Sequence, residues 1–199
     1  MEEKLQEALW CAHQLFARRL VRGSTGNISF RHENKIYISR SGSCFGRLSK
    51  EDFAVLSVNG QIVEGLPSKE YPLHLTFYRQ DSETNAVIHT HSLFTTALSC
   101  MRKPDVSIQK LYSYTPYLKM LTEGKIGVAA YGPPGSKQLF DTFEKVFSAD
   151  TRTYVLKNHG IAVGAKSAYK AFDIVEEFET SASLAAILES REEAGLRTI

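Results

Sequence analysis

Apolar residues recur at helical spacing near the start of the chain, where Leu5, Ala8, Leu9, Ala12, Leu15 and Phe16 follow a 3.6-residue period. This predicts a helix over residues 3–20 with a core-facing stripe, ended by the stretch VRGSTGN. The period then changes. NISFR and KIYISR alternate apolar and polar residues about a polar HEN turn, the signature of a β-hairpin. FAVLSVNGQIVEG predicts a second hairpin with Asn59-Gly60 as a two-residue turn, since both residues accept positive φ. YPLHLTFYRQ and SLFTTALSC return to helical spacing, the latter with Ser92 as its N-cap, behind a short buried strand in AVIHT. GSKQLFDTFEKVF, after Pro133-Pro134, predicts another helix, and TYVLK and IAVGA predict strands flanking NHG. A long helix over 168–190 carries Ala171, Ile174, Val175, Phe178, Ala182, Ala185 and Ala186 on a stripe broad enough to cover a sheet. With no repeat or linker, the pattern describes one α/β domain over 1–199.

Composition narrows the class without naming a chemistry. A chain of 199 residues, 43% hydrophobic and 23% charged, can bury a sizeable core without staples. Its formal charge of +2 is nearly balanced and forms no basic stripe, so neither nucleic acid nor a membrane is expected as a partner. The opening MEEKLQEALWCAHQLFARRL is acidic and lacks the basic start of a secretory signal, and no apolar run approaches the ~20 residues of a membrane helix. Cys11, Cys44 and Cys100 are an odd set without CxxC spacing, which argues against a disulfide framework and a zinc ribbon. A reducing cytoplasm is the expected compartment.

The histidines change the picture. His89 and His91 stand two apart at a strand end, where alternation sends both to one face and lets two imidazoles reach one ion. His159, in a tight Asn-His-Gly bend between two strands, makes a third candidate ligand. Three protein ligands with an open position characterise a catalytic metal site, whereas a structural zinc is closed by four. Glu70, at the start of a predicted helix and four residues before His74, is the candidate general base. GSTGN places Gly26 and Asn27 at a turn where backbone N–H groups and an amide can converge on an anion.

GSTGNISFR, SRSGSCFGRLSKEDF, PSKEYPLH, AVIHTHS and LKNHG, in this order, resemble the class II aldolase/adducin family over about residues 3–188. The resemblance implies a three-layer α/β/α fold around a mainly antiparallel sheet, assembled as a homotetramer with active sites between subunits. It implies that His89, His91 and His159 are metal ligands and that Glu70 is an acid/base residue able to approach the metal. Zinc is the foremost candidate ion, and manganese, cobalt or iron could use the same imidazoles. Tyr131, in AAYGPPG, matches a tyrosine that family aldolases use near the substrate. Ser41, Gly42, Ser68 and Lys69 match the family's phosphate pocket, together with Gly26 and Asn27. Lys69 departs from the pattern, since the aldolases usually carry a small hydroxyl residue there.

Within the family, GSCFGRL, PSKEYPLHLTFY, HSLFTTALSC, TPY and YGPPG look most like the 3-oxo-tetronate 4-phosphate decarboxylases. That subgroup implies a carbon–carbon lyase acting through an enediolate and releasing carbon dioxide and dihydroxyacetone phosphate. A fuculose-phosphate-type aldolase is the alternative. Glu70 would need its pKa raised towards neutrality to move the carbon proton. The epimerases draw on a C-terminal tyrosine, whereas this chain has none after Tyr169. The closing REEAGLRTI is also shorter than the tail that aldolases lay over the site. Adducin-like domains, which are non-catalytic interaction modules, lack the metal ligands that are present here.

Overall fold

The computed structural model describes residues 1–190. The expectation about the tail REEAGLRTI falls outside them. An eight-stranded sheet forms the middle layer, in the order β4-β3-β2-β1-β5-β8-β7-β6. Its strands are β1 (Asn27–His32), β2 (Lys35–Ser39), β3 (Phe53–Ser57), β4 (Ile62–Glu64), β5 (Ala86–Thr90), β6 (Gly127–Ala129), β7 (Thr153–Leu156) and β8 (Gly160–Ala165). Every neighbouring pair is antiparallel except β6 with β7. This is the mainly antiparallel sheet of the expected three-layer architecture.

Alternation along the strands feeds two cores. Ile28, Phe30, Ile88, Val155, Ile161 and Val163 point to one face, beneath α1 (Glu2–Ala17), α3 (Leu93–Ser99), α4 (Pro104–Tyr114), α5 (Tyr117–Thr122) and α7 (Ala168–Glu189). Ile36, Ile38, Leu56, Val87, Tyr154 and Ala162 point to the other, beneath α2 (Tyr71–Gln80) and α6 (Lys137–Val146). On that second face the Phe77 ring lies directly over Gly164, where a Cβ would stand 2.5 Å from the ring. Only a residue without a side chain lets α2 approach β8 so closely. α7 buries Ala171, Ile174, Val175, Phe178, Ala182 and Ala185 as its periodicity predicts, whereas Ala186 is exposed. Burying a phenylalanine such as Phe178 contributes about 2 to 3 kcal/mol.

Four details differ from the pattern reading. α1 ends at Ala17 rather than residue 20, because Arg19 turns left-handed at φ 62° and Leu20 and Val21 fold back to bond the Leu15 carbonyl. Phe16 is outside the buried stripe, and its ring instead covers Gly46. The second hairpin turns through three residues: Gly60 N–H bonds the Ser57 carbonyl and only Gly60 takes positive φ, so Asn59 stays right-handed. A type I turn closed by a left-handed glycine gives that three-residue loop. α4, eleven residues long, has no counterpart in the pattern, and neither do α5 and β6, which at six and three residues are too short to establish a period.

Candidate active site

The site lies where β5 ends and β1 and β8 begin, beside the start of α2. Asn27 pairs with His89 across β1 and β5, and His89 pairs with Ala162 across β5 and β8, so His89 sits mid-sheet. Its Nδ1 donates to the Ile161 carbonyl at 2.8 Å, which leaves Nε2 to face the site. His91 lies one residue past β5, with its Nε2 2.7 Å from His89 Nε2. His159 enters from the β7–β8 turn, whose sharpness comes from left-handed Asn158 at φ 56°. A bond from His159 N–H to the Leu156 carbonyl closes that turn. The three imidazoles lie 4.6 to 4.9 Å apart between ring centres.

Glu70 occupies the N-cap position of α2 rather than its first turn, and its side chain makes no cap bond. It turns into the histidines, with Oε2 3.1 Å from His89 Nε2 and Oε1 3.2 Å from His159 Nε2. One donor atom from each of the four residues falls within 4.8 Å of every other. Glu70 Oε1 and both His159 ring nitrogens are buried without a hydrogen-bond partner. Zinc bonds of about 2 Å would set ligands about 3 to 4 Å apart, and buried imidazole and carboxylate lone pairs converging at this scale fit a divalent cation. Glu70 thus shares one cluster with the three histidines.

Electrostatics corrects one expectation. Burial by itself would raise the Glu70 carboxyl, but the close approach of His89, and then of His159, outweighs it and holds Glu70 well below the usual carboxylate range. The expected rise towards neutrality is absent from this arrangement of side chains. Burial, followed by the neighbouring His89 and His159, pushes His91 down to about 3, which keeps it the neutral imidazole that a metal requires. His74, fully buried beside Glu70, is pushed down to about 3 chiefly by burial.

A cavity of about 300 Å³ opens beside the cluster. Gly26, Asn27, Ser41, Gly42, Ser68, Lys69, Glu70 and His91 all line it, so the predicted anion-binding turns do converge on one space. Gly26 takes φ +80°, and a Cβ there would stand 2.8 Å from the His89 carbonyl; no other residue fits. Gly42, at φ +79°, faces open space. Asn27 is turned inward, its Nδ2 donating to Glu70 Oε2 at 3.2 Å. Lys69 is exposed, with its stem against Gly135. Tyr131 is 48% exposed and lies outside this lining, which the same loop reaches through Pro134 and Gly135 instead.

The sequence reading missed two residues. Arg40 lines the cavity and also an adjoining one with Ser43, Cys44 and Arg47. Its Nε donates to the Phe53 carbonyl at 3.3 Å, and it makes no ion pair among the described residues. It stands in the SRSG stretch, but a lone arginine there carried no pattern. Glu179, from α7, accepts bonds from Ser92 Oγ, Phe94 N–H, Thr95 N–H and Thr95 Oγ1. Ser92 is the N-cap of α3 as predicted, but the distant carboxylate does the capping. The far end of α3 then holds the His159 turn: Ser99 accepts from Asn158 N–H through its carbonyl and from His159 N–H through its hydroxyl.

Comparison with known proteins bears on this arrangement. The model of the Class II Aldolase and Adducin N-terminal domain matches residues 6–186. The chain belongs to this family. An L-fuculose phosphate aldolase of Methanococcus maripaludis is 38% identical over 172 residues, covering 86% of this chain and 90% of that protein. A 3-oxo-tetronate 4-phosphate decarboxylase of Pectobacterium atrosepticum is 36% identical over 178 residues, covering 88% and 80%. The crystal structure of YgbL from Klebsiella pneumoniae superposes with a TM-score of 0.86 at 26% identity, covering 99% of this chain and 93% of that one. This class II aldolase-family protein is therefore a metal-dependent lyase. Among the described residues no helix is long and apolar enough to cross a membrane.

Proposed function

We propose that the protein decarboxylates a phosphorylated sugar acid of the 3-oxo-tetronate 4-phosphate type to dihydroxyacetone phosphate. The observation that carries this reading is the pair of cations, Arg40 and Lys69, on one cavity beside the Glu70–histidine cluster. Neither has an acidic partner among the described residues. A phosphorylated acid carries one more anionic group than a ketose phosphate, and a charge-assisted hydrogen bond is roughly twice as strong as a neutral one. Gly26, Ser41, Gly42 and Ser68 take the phosphate in this reading.

His89, His91 and His159, with Glu70 within reach, would hold a divalent cation, zinc foremost by its preference for such donors. When bound it supplies Lewis-acid stabilisation of negative charge on adjacent hydroxyl and carbonyl oxygens. The bond between the carboxylate carbon and C2 breaks, its electron pair remains as an enediolate across C2 and C3, and carbon dioxide leaves. Glu70, which lines the cavity, takes up a proton from solvent there and passes it to C2. A homotetramer with sites between subunits is part of the proposal, with exposed Tyr131 near the substrate from the loop beside the cavity.

A ketose 1-phosphate aldolase is the second reading, favoured by the 38% identical relative named as an L-fuculose phosphate aldolase. It needs the same enediolate, reached by losing an aldehyde. The metal-loaded protein is to be incubated separately with 3-oxo-tetronate 4-phosphate and with ketose 1-phosphates, and carbon dioxide, aldehyde and dihydroxyacetone phosphate measured. Carbon dioxide with dihydroxyacetone phosphate supports the decarboxylase, and Lys69→Met then raises KM about tenfold with metal content unchanged. Aldehyde from a ketose 1-phosphate, with no carbon dioxide from the oxo-acid, replaces it by the aldolase.

A further inference from the structure

Behind Glu70 a run of buried polar side chains crosses between β1 and α2, and no step of the proposed reaction touches it. Asn27 Nδ2 donates to Glu70 Oε2 at 3.2 Å, and Asn27 Oδ1 lies 2.5 Å from His74 Nε2. His74 Nδ1 lies 2.7 Å from Ser29 Oγ, which lies 2.7 Å from Tyr78 Oη. None of these five side chains reaches the surface. Burial of so many polar groups is tolerated only when they are bonded, and the side chains of Asn27, Ser29, His74 and Tyr78 all have partners.

The chain can run in only one direction. A carboxylate oxygen accepts, so Asn27 Nδ2 donates to Glu70 Oε2 and leaves Asn27 Oδ1 to accept from His74 Nε2. Ser29 then donates to His74 Nδ1. No carboxylate touches the His74 ring, and an imidazole that accepts at Nδ1 carries its proton at Nε2, which donates to Asn27 Oδ1. The amide of Asn27 is thereby fixed with Nδ2 towards Glu70. Turned over, it would set Oδ1 against a carboxylate oxygen, two acceptors face to face.

We propose that His74 is a positioning residue: through Asn27 it anchors Oε2 of Glu70 and so sets the orientation of the carboxylate that transfers the proton. Oε1 takes no bond from this run and faces His159 Nε2 at 3.2 Å, so the bond from Asn27 to Oε2 is what the run contributes to the carboxylate. The inference rests on the reading of Glu70 as the proton-transferring group. The sequence held a trace of it in the four-residue spacing of Glu70 and His74. Ser29 and Tyr78 join only when β1 packs on α2.

The test compares His74→Leu, His74→Gln and Ser29→Ala in the metal-loaded protein, with nitrogen NMR of the imidazoles in the metal-free protein as a readout independent of turnover. Groups that orient a metal-site side chain typically contribute 10- to 100-fold to activity or metal affinity. His74→Leu is expected to lower kcat by about that factor with KM and metal content unchanged, and Ser29→Ala by less. His74→Gln, which still donates to Asn27 and accepts from Ser29, is expected to recover most of the loss even where its melting temperature falls as far. The NMR spectrum is expected to show His74 neutral with its proton on Nε2. Should His74→Leu not fold, Ser29→Ala and the NMR spectrum carry the test. A proton on Nδ1, or wild-type kcat in folded His74→Leu, overturns the proposal. Failure of the Glu70 reading is distinguishable: Glu70→Gln then keeps full turnover while the His74 tautomer is as expected.

Discussion

Glu179 and Ser92 are joined by a 2.7 Å hydrogen bond between residues 87 positions apart. The same carboxylate takes the N–H groups of Phe94 and Thr95, so the first turn of α3 is capped from α7 rather than from its own sequence. Removing the carboxylate leaves those donors without an acceptor, and Glu179→Ala is expected to cost about 2 to 3 kcal/mol. In a chain of this size that lowers the melting temperature by about 2 to 4 °C per kcal/mol, read by calorimetry. Metal affinity should fall with it, because the other end of α3 holds the His159 turn. Wild-type melting and metal content together would show that α3 does not depend on this cap.

His91 tests the metal site from its open side. It is the one ligand candidate not fully buried, so His91→Ala removes a donor with little damage to the core. Metal content by elemental analysis and turnover should drop together. Full occupancy with normal turnover would take His91 out of the site.

Glu70 tests proton transfer. Glu70→Gln keeps size and shape but removes the titratable group, and turnover should fall by about 10² to 10⁴ while metal remains bound through the histidines. Unchanged turnover at saturating substrate would assign the proton step to another group.

Acid stability should depend on Asp81. It is buried and accepts from Arg152 Nε at 2.6 Å, Thr84 Oγ1 at 2.7 Å and Glu83 N–H at 2.9 Å. Burial alone would raise its carboxyl, but the hydrogen bonds from Arg152 and its neighbours lower it below its ordinary value of 3.8. A carboxyl whose pKa is lower in the folded state stabilises the protein above its unfolded pKa, and that stability is lost as pH falls through the folded value. Asp81→Asn should therefore be less stable than wild type at pH 7, and denaturant midpoints should converge between about pH 4 and the acid limit of folding. A constant gap across that range would show that Asp81 does not titrate with unfolding.

What the sequence disclosed follows the range over which each signal acts. His89 and His91 were legible because strand alternation is local, and the long apolar stripe of α7 because it repeats over several turns. The convergence of turns around Gly26, Ser41 and Ser68 came from the family resemblance, since no local rule brings three loops together. Glu179 was invisible, because its role is fixed by how α7 lies against α3. Arg40 gave no sign, as its importance lies in which cavity it lines. The direction of the Glu70 shift was misjudged because composition does not reveal that two imidazoles flank the carboxylate more closely than burial can offset. α5 and β6 were missed for want of length.

The pairing of β5 with β8 sets when this site can exist during folding. His89 bonds the Ile161 carbonyl across 72 positions of chain, so the ligands meet only after α3 through β7 have been laid between those strands. Closing so long a loop is entropically costly before its contacts form, and topologies dominated by such distant pairings fold slowly. A cation therefore finds no preformed cage in the unfolded chain to serve as a nucleus. It acts on the finished protein, where binding to the native state alone retards unfolding and raises apparent stability with its free concentration.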